Sequence, residues 1–234
     1  MLVATQAGSG TERRVPLSRS RVLRAAVKVA DDGGIETLTM RRLAEELGAE
    51  AMSLYYHVAN KEEVLDGIVD TVVAEINEVV ERIDAPTVGG AWKQAARLRI
   101  LAARQVLLRH PWAPRIIESR TATSPAVLRY NDGLVGLMRD GGFTYDQIHH
   151  ALHALGSRAL GFSQELFSPG DGPPGEMSAA MPEALAEALP NLAGMLAEIV
   201  HDDPNTLGWC DDQTEFEFGL DLILDGLDRL RAQG

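Results

Sequence analysis

Apolar residues recur at spacings of three and four along most of the chain, and no sustained apolar–polar alternation appears. The pattern predicts helices and no sheet. Ser18 is placed to cap a first helix whose inner set is Val22, Leu23, Ala26, Val27 and Ala30, stopped by Gly33 and Gly34. Thr39 caps a short second helix with Leu43, Ala44 and Leu47 inward, and Gly48 supplies the tight turn that follows. A third short helix is predicted over residues 51 to 57, with Leu54 and Val58 inward.

Asn60 then opens a fourth helix, with Glu63 at the third position offering a capping box. Its apolar set, Val64, Leu65, Ile68, Val69, Val72, Val73 and Ile76, carries it to about Ile83, before Pro86, Gly89 and Gly90 break the pattern. Further helices are predicted at about 91–109, 112–119, 125–140, 145–167, 181–200 and 212–232. Thr144 with Gln147 forms another capping box, and Pro125 sits at a first helical position after Ser124. Residues 168–178, rich in glycine and proline, predict a surface loop, and no repeat of 20 to 50 residues is present.

Composition narrows the class. The 234 residues are 45% hydrophobic and 24% charged, ordinary globular proportions with length enough for a small module on a larger core. One cysteine, Cys210, cannot form an internal disulfide or a multi-cysteine zinc site, which points to a reducing compartment and a cytoplasmic protein. Neither a signal peptide nor a stretch approaching the roughly 20 apolar residues of a membrane span is present, so no membrane partner is expected.

The net charge of −12 opposes indiscriminate coating of nucleic acid, yet the charge is unevenly spread. Residues 1–61 hold nine Arg and Lys against seven Asp and Glu, whereas the rest holds 13 against 27. Between positions 12 and 28, Arg13, Arg14, Arg19, Arg21, Arg24 and Lys28 face only Glu12. A basic head on an acidic body calls for a polyanionic partner at one end.

Helix, short helix, glycine turn and short helix make a helix-turn-helix, whose second short helix lies in the DNA major groove. Met52 and Ser53 stand at the front of that helix, where they can meet base edges and thymine methyls. Tyr55, Tyr56 and His57 suit phosphates and sugars, and Lys61 joins the free N–H groups of the fourth helix. The DNA-contact set is Thr39, Arg41, Met52, Ser53, Tyr55, Tyr56, His57 and Lys61.

Residues 18–65 resemble the DNA-binding domain of the TetR family of bacterial transcriptional regulators. The family pattern is matched by Leu38, Thr39, Arg41, Leu43, Ala44, Leu47, Gly48, Leu54, Tyr55, His57, Asn60 and Lys61. FGLDLILDGLD, residues 218–228, is similar to the last helix of the subgroup that includes the tetracycline repressors. The resemblance implies a homodimer joined by the last helix and the one at 145–167, with Phe216, Leu220, Ile223, Leu224 and Leu227 as interface candidates. The alternative is that these five close the monomer core. A two-fold pair of recognition helices implies a palindromic operator in double-stranded DNA.

The resemblance also places a small-molecule effector inside the C-terminal helices. Candidate pocket residues are Arg99, Ala103, Ile117, Leu134, Met138, His149, Leu152, His153 and Gly156. Polar residues that hold the magnesium–drug chelate in tetracycline repressors are replaced by Asn77, Arg99, Ala103 and Ile117, with only Glu165 matching an acidic one. That argues for a different effector. His149 and His153 share the spacing of two zinc ligands, with His150 beside them. A hydrolase would put glutamate at position 150, and the GFSQE at 161–165 lacks the second glycine of a nucleophile elbow.

The resulting expectation is an all-α chain. A disordered arm occupies residues 1–16, a three-helix helix-turn-helix DNA-binding domain 17–62, and a larger helical ligand-binding and dimerisation domain 63–234. It is read as an effector-released repressor with no enzymatic activity and no cofactor. The competing reading is a helical small-molecule carrier or metal-dependent enzyme, built on His149 and His153, that keeps a vestigial helix-turn-helix.

Overall fold

Capping side chains set the starts of the first helices. In this computed structural model, which describes residues 16–120, 124–160, 187–191, 194 and 212–233, Ser18 lies in extended backbone and accepts the Arg21 N–H. It thereby opens α1 (Arg19–Gly33). Thr39 does the same through the Arg42 N–H for α2 (Met40–Leu47), and Asn60 through the Glu63 N–H for α4 (Lys61–Glu81). At Asn60 the box is displaced by one residue: the Glu63 carboxylate accepts from Ala59 N–H at 2.6 Å rather than from Asn60. Gly48 ends α2 at φ 61, ψ 37, a left-handed conformation that favours glycine.

Between α2 and α4 lies α3 (Ala51–Leu54), followed by α5 (Trp92–Arg109), α6 (Ala113–Ser119), α7 (Pro125–Asp140), α8 (Tyr145–Leu160) and α9 (Asp212–Gln233). No strand occurs among the described residues. The third helix is shorter than its predicted span of 51 to 57. Beyond Leu54 the chain tightens: His57 N–H reaches Leu54 O at 2.8 Å, three residues back, and Tyr55–His57 form a turn. α8 ends, within the described residues, at Leu160. The predicted loop at 168–178, Glu165, the 161–165 segment and Cys210 lie outside the described residues, as does most of the predicted helix at 181–200.

The chain forms two compact units. The first comprises the residues up to Asp84 with Leu101–Gly133, and the second Ala85–Ile100 with the residues from Leu134 onward. In the first unit a single apolar cluster joins Val22, Leu23 and Ala26 of α1 to Leu43, Leu54, Val58 and to Val64, Leu65, Ile68 and Val72 of α4. The same cluster continues to Ala103, Val106, Trp112 and Ala113. Val29 is buried where the sequence pattern favoured Val27, which is half-buried.

In the second unit the fully buried Trp92 meets Phe143 edge-on with ring centroids 4.6 Å apart, and its Nε1–H donates to Asp228 at 3.0 Å. The next residue, Lys93, pairs with Asp225, and further along α5 Arg97 reaches Asp221 at 2.7 Å and Glu217 at 2.5 Å. The Gln213 amide and then Arg97 hold the Glu217 carboxyl below its ordinary range, and the Trp92 N–H does the same for Asp228. α8 packs on α9, and Gln147 at its start completes a reciprocal box with Thr144.

The approach of α1 to α4 depends on Gly67, where an added Cβ would lie 2.5 Å from Leu23 Cδ2 and 2.8 Å from Cδ1. Alanine is ordinarily preferred to glycine inside a helix by about 1 kcal/mol. Here Gly67→Ala is expected to reverse that sign, lowering stability by roughly 1–3 kcal/mol through overpacking against buried Leu23. Chemical denaturation measures it.

Candidate nucleic-acid interface

The turn after α2 holds α3 by two buried anchors, Leu54 and Val58, which leaves the other side of the segment in solvent. Met52 is 72% exposed and Tyr56 89%, high values for large side chains with so much apolar surface. Tyr55 is 45% exposed, while Ser53 and His57 are half-buried on the same short segment. Arg41 is open at 90% and leans on Glu45 at 3.1 Å. All six are at least partly open to solvent, as contact with DNA requires.

Two predicted contacts are already engaged within the chain. The Thr39 hydroxyl accepts the Arg42 N–H at 3.1 Å as the α2 cap, and the Ser53 hydroxyl donates to Glu50 O at 2.6 Å. A base contact by Ser53 has to replace that bond or accept through the hydroxyl's lone pairs. Lys61 is exposed at the first position of α4 and has no ion-pair partner among the described residues.

The first turn of α4 also carries Glu62 and Glu63, which by themselves would repel a phosphate. Both are offset. Arg19 of α1 reaches Glu63 at 3.4 Å, and Arg120, just past α6, reaches Glu62 at 2.7 Å and Asp66 at 2.8 Å. The Ala59 N–H, assisted by Arg19, holds the Glu63 carboxyl below its ordinary range. Sequence reasoning missed Arg120, because nothing local signals a partner 58 positions away.

The effector candidates divide between the units. Ala103 is buried in the first unit's core, and Ile117 packs half-buried against it. In the second unit Leu134 and Met138 are buried, Arg99, Leu152 and Gly156 half-buried, and His149 and His153 exposed. Asn77 is buried and its amide donates to Ala126 O at 2.9 Å, a structural bond inside the first unit. His149 stands edge-on to His153 at 4.8 Å between centroids. Among the described residues no group of three or more His, Cys, Asp or Glu is arranged to hold a metal ion.

The interface candidates lie mostly inside the chain, as the alternative reading has it. Phe216, Leu220, Leu224 and Leu227 are buried within the chain and Ile223 is half-buried, because their spacing defines the inner stripe of α9. The apolar groups that α9 presents to solvent are Phe218 and Leu222, four residues apart, and Leu230.

Comparison with known proteins gives a consistent picture. Residues 22–68 match the bacterial regulatory proteins of the tetR family, and residues 85–231 match the tetracyclin repressor-like C-terminal domain. The HTH-type transcriptional repressor DrrR1 of Streptomyces coeruleorubidus is 30% identical over 93% of this chain and 79% of its own. The class D tetracycline repressor of Escherichia coli is 27% identical over 91% of this chain and 89% of its own. The crystal structure of ActR from Streptomyces coelicolor in complex with actinorhodin has a TM-score of 0.64 at 25% identity, covering 91% of this chain and 96% of that one.

Lys61→Ala is expected to weaken binding to all duplexes alike and to reduce the slope of log affinity against log salt by about one. Met52→Ala should instead change which sequence is preferred. Fluorescence anisotropy across a salt series separates the two, and an unchanged slope would remove Lys61 from the contact set.

Proposed function

The chain belongs to the TetR family of bacterial regulators, and from that membership we propose a homodimeric repressor released from a palindromic operator by a small organic effector other than tetracycline. That it is a ligand-responsive, DNA-binding transcriptional regulator follows from the family itself. The observation that carries the finer reading is the exposed Met52–Tyr56 face beside an α4 first turn whose carboxylates are already paired. A relic head would have no reason to keep large apolar groups in water, where each carries an unfavourable hydration cost. A vestigial head on a carrier or metal enzyme is therefore not favoured.

The contact residues proposed are Arg41, Met52, Tyr55, Tyr56, His57 and Lys61, with Thr39 and Ser53 reaching DNA alongside their capping bonds. A palindrome follows from two recognition helices on a two-fold axis, which in turn needs a dimer. The exposed Phe218 and Leu222 of α9, together with α8, are its proposed contact surface. Effector release requires only that the effector bind the conformer with the wrong half-site spacing more tightly. Arg99, Leu134, Met138 and Leu152 remain the proposed effector contacts in the second unit. Replacement of a drug-chelating position by Asn77, already committed to the Ala126 carbonyl, supports an effector other than tetracycline. No helix among the described residues is long and apolar enough to cross a membrane, which supports a cytoplasmic location.

Two experiments test this reading. A gel shift against duplex from upstream of the chain's own coding sequence is expected to show binding that survives competitor DNA; failure to bind any duplex at low salt would sink it. Phe218→Glu should convert the dimer to monomer in light scattering and weaken operator binding, since each half-site would then be held singly. A dimer unaffected by Phe218→Glu would place the interface elsewhere.

A further inference from the structure

The head's first helix ends beside a part-buried polar cluster that neither capping nor the DNA face uses. Asp31 of α1 accepts through a single oxygen, Oδ1, from Trp112 Nε1–H at 2.7 Å and from His110 Nδ1 at 2.8 Å. His110 is only 8% exposed, and its Nε2 faces Glu75 Oε2 of α4 at 3.4 Å. Arg109 pairs with the other oxygen of Glu75, and the indole stands edge-on to the imidazole at 6.0 Å. The direction of these bonds is fixed, because a carboxylate only accepts and an indole N–H only donates.

One imidazole thus faces carboxylates on two helices, α1 and α4, from the short link between α5 and α6. All of these residues belong to the first unit. Apart from the solvent-exposed Arg19–Glu63 pair where both helices begin, the α1–α4 contact is apolar, with Val22, Leu23 and Ala26 in one cluster with Val64, Leu65 and Ile68. Apolar packing is non-directional, so it resists separation of the helices more than sliding along their length. A carboxylate with two donors from buried side chains converging on one oxygen is directional, and displacement by even 1 Å leaves those donors short of a partner. α1 in turn carries α2, through packing and through Lys28, which reaches Glu46 at 3.0 Å. The position of α1 along its axis therefore sets where α2 and α3 stand.

We propose that His110 and Trp112 are positioning residues for operator recognition, gripping Asp31 so that α1 and the helix-turn-helix it carries are held in register on α4. This rests on the DNA-binding reading above, but it assigns a part in specificity to side chains remote from the Met52–Tyr56 face. Charge-driven binding to unrelated DNA does not need exact placement of the recognition helix, whereas operator binding does.

The test uses the full chain, a duplex from upstream of its own coding sequence and a scrambled duplex of equal length. His110→Ala and Trp112→Phe are each expected to weaken operator binding about ten-fold, with low-salt affinity for the scrambled duplex and the helical circular dichroism unchanged. His110→Asn places an amide N–H close to where Nδ1 stood and is expected to recover most of the loss. Asp31→Asn combined with Trp112→Phe should cost less than the sum of the two, since both act on one contact. Wild-type protein that binds no duplex would overturn the DNA-binding reading and this inference with it. Wild-type protein that binds its operator while the variants match it overturns the inference alone. So does loss of both affinities together, no recovery in His110→Asn, or additive Asp31 and Trp112 effects.

Discussion

A helix-turn-helix is too small to bury a core of its own, and here the shortage is met by α4. The eight-residue α2 and four-residue α3 offer Leu43, Ala44 and Leu54 as buried anchors, and α1 adds its inner stripe. These residues share one cluster with the first half of α4 and, beyond it, with Val106 and Trp112. Everything the head presents to solvent is positioned by that shared apolar volume, since hydrophobic burial is the dominant favourable term. Leu23 is seated against Gly67 and leaves no room for a side chain at that position.

An acidic chain that binds a polyanion must also manage its own field. At the head this is done residue by residue. Carboxylates near the proposed phosphate path are matched by arginines brought from elsewhere: Arg19 for Glu63, Arg120 for Glu62 and Asp66. Lys61 stays open to a partner outside the chain, whereas Lys28 is drawn into Asp32 and Glu46 and becomes part of the scaffold. Net charge alone says little about such a surface. What matters for an approaching duplex is which charges are already paired.

Local chemistry was readable in advance where it acts over a few residues. Ser18, Thr39, Asn60 and Thr144 all cap the helices their positions implied, and Gly48 takes the left-handed turn. Where periodicity alone does not decide the outcome, sequence reasoning failed. Tyr55–His57 fit a helical period but close into a tighter turn, held by bonds back to Leu54. Phe216, Leu220, Leu224 and Leu227 formed a convincing apolar stripe, and only the packed structure shows that the chain itself covers it, leaving Phe218 and Leu222 outside. Asp31, His110 and Glu75 are separated by 35 to 79 positions and carry no local signature at all. His149 and His153 do have a local signature, and the fold leaves them on an exposed face.

The polar ladder between α5 and α9 has a consequence for how this chain can change over evolution. Trp92, Lys93 and Arg97 meet Asp228, Asp225, Asp221 and Glu217 in opposite chain order, so each partner is specified by a count of residues along two antiparallel helices. Inserting or deleting one residue in the middle of α9 would rotate the following part by about 100° and strand several carboxylates at once. Length changes are therefore tolerable only beyond the ladder's ends, while substitutions on α9's outer side leave it untouched. The outward face of this helix is thus separable from the ladder, whereas its phase is not.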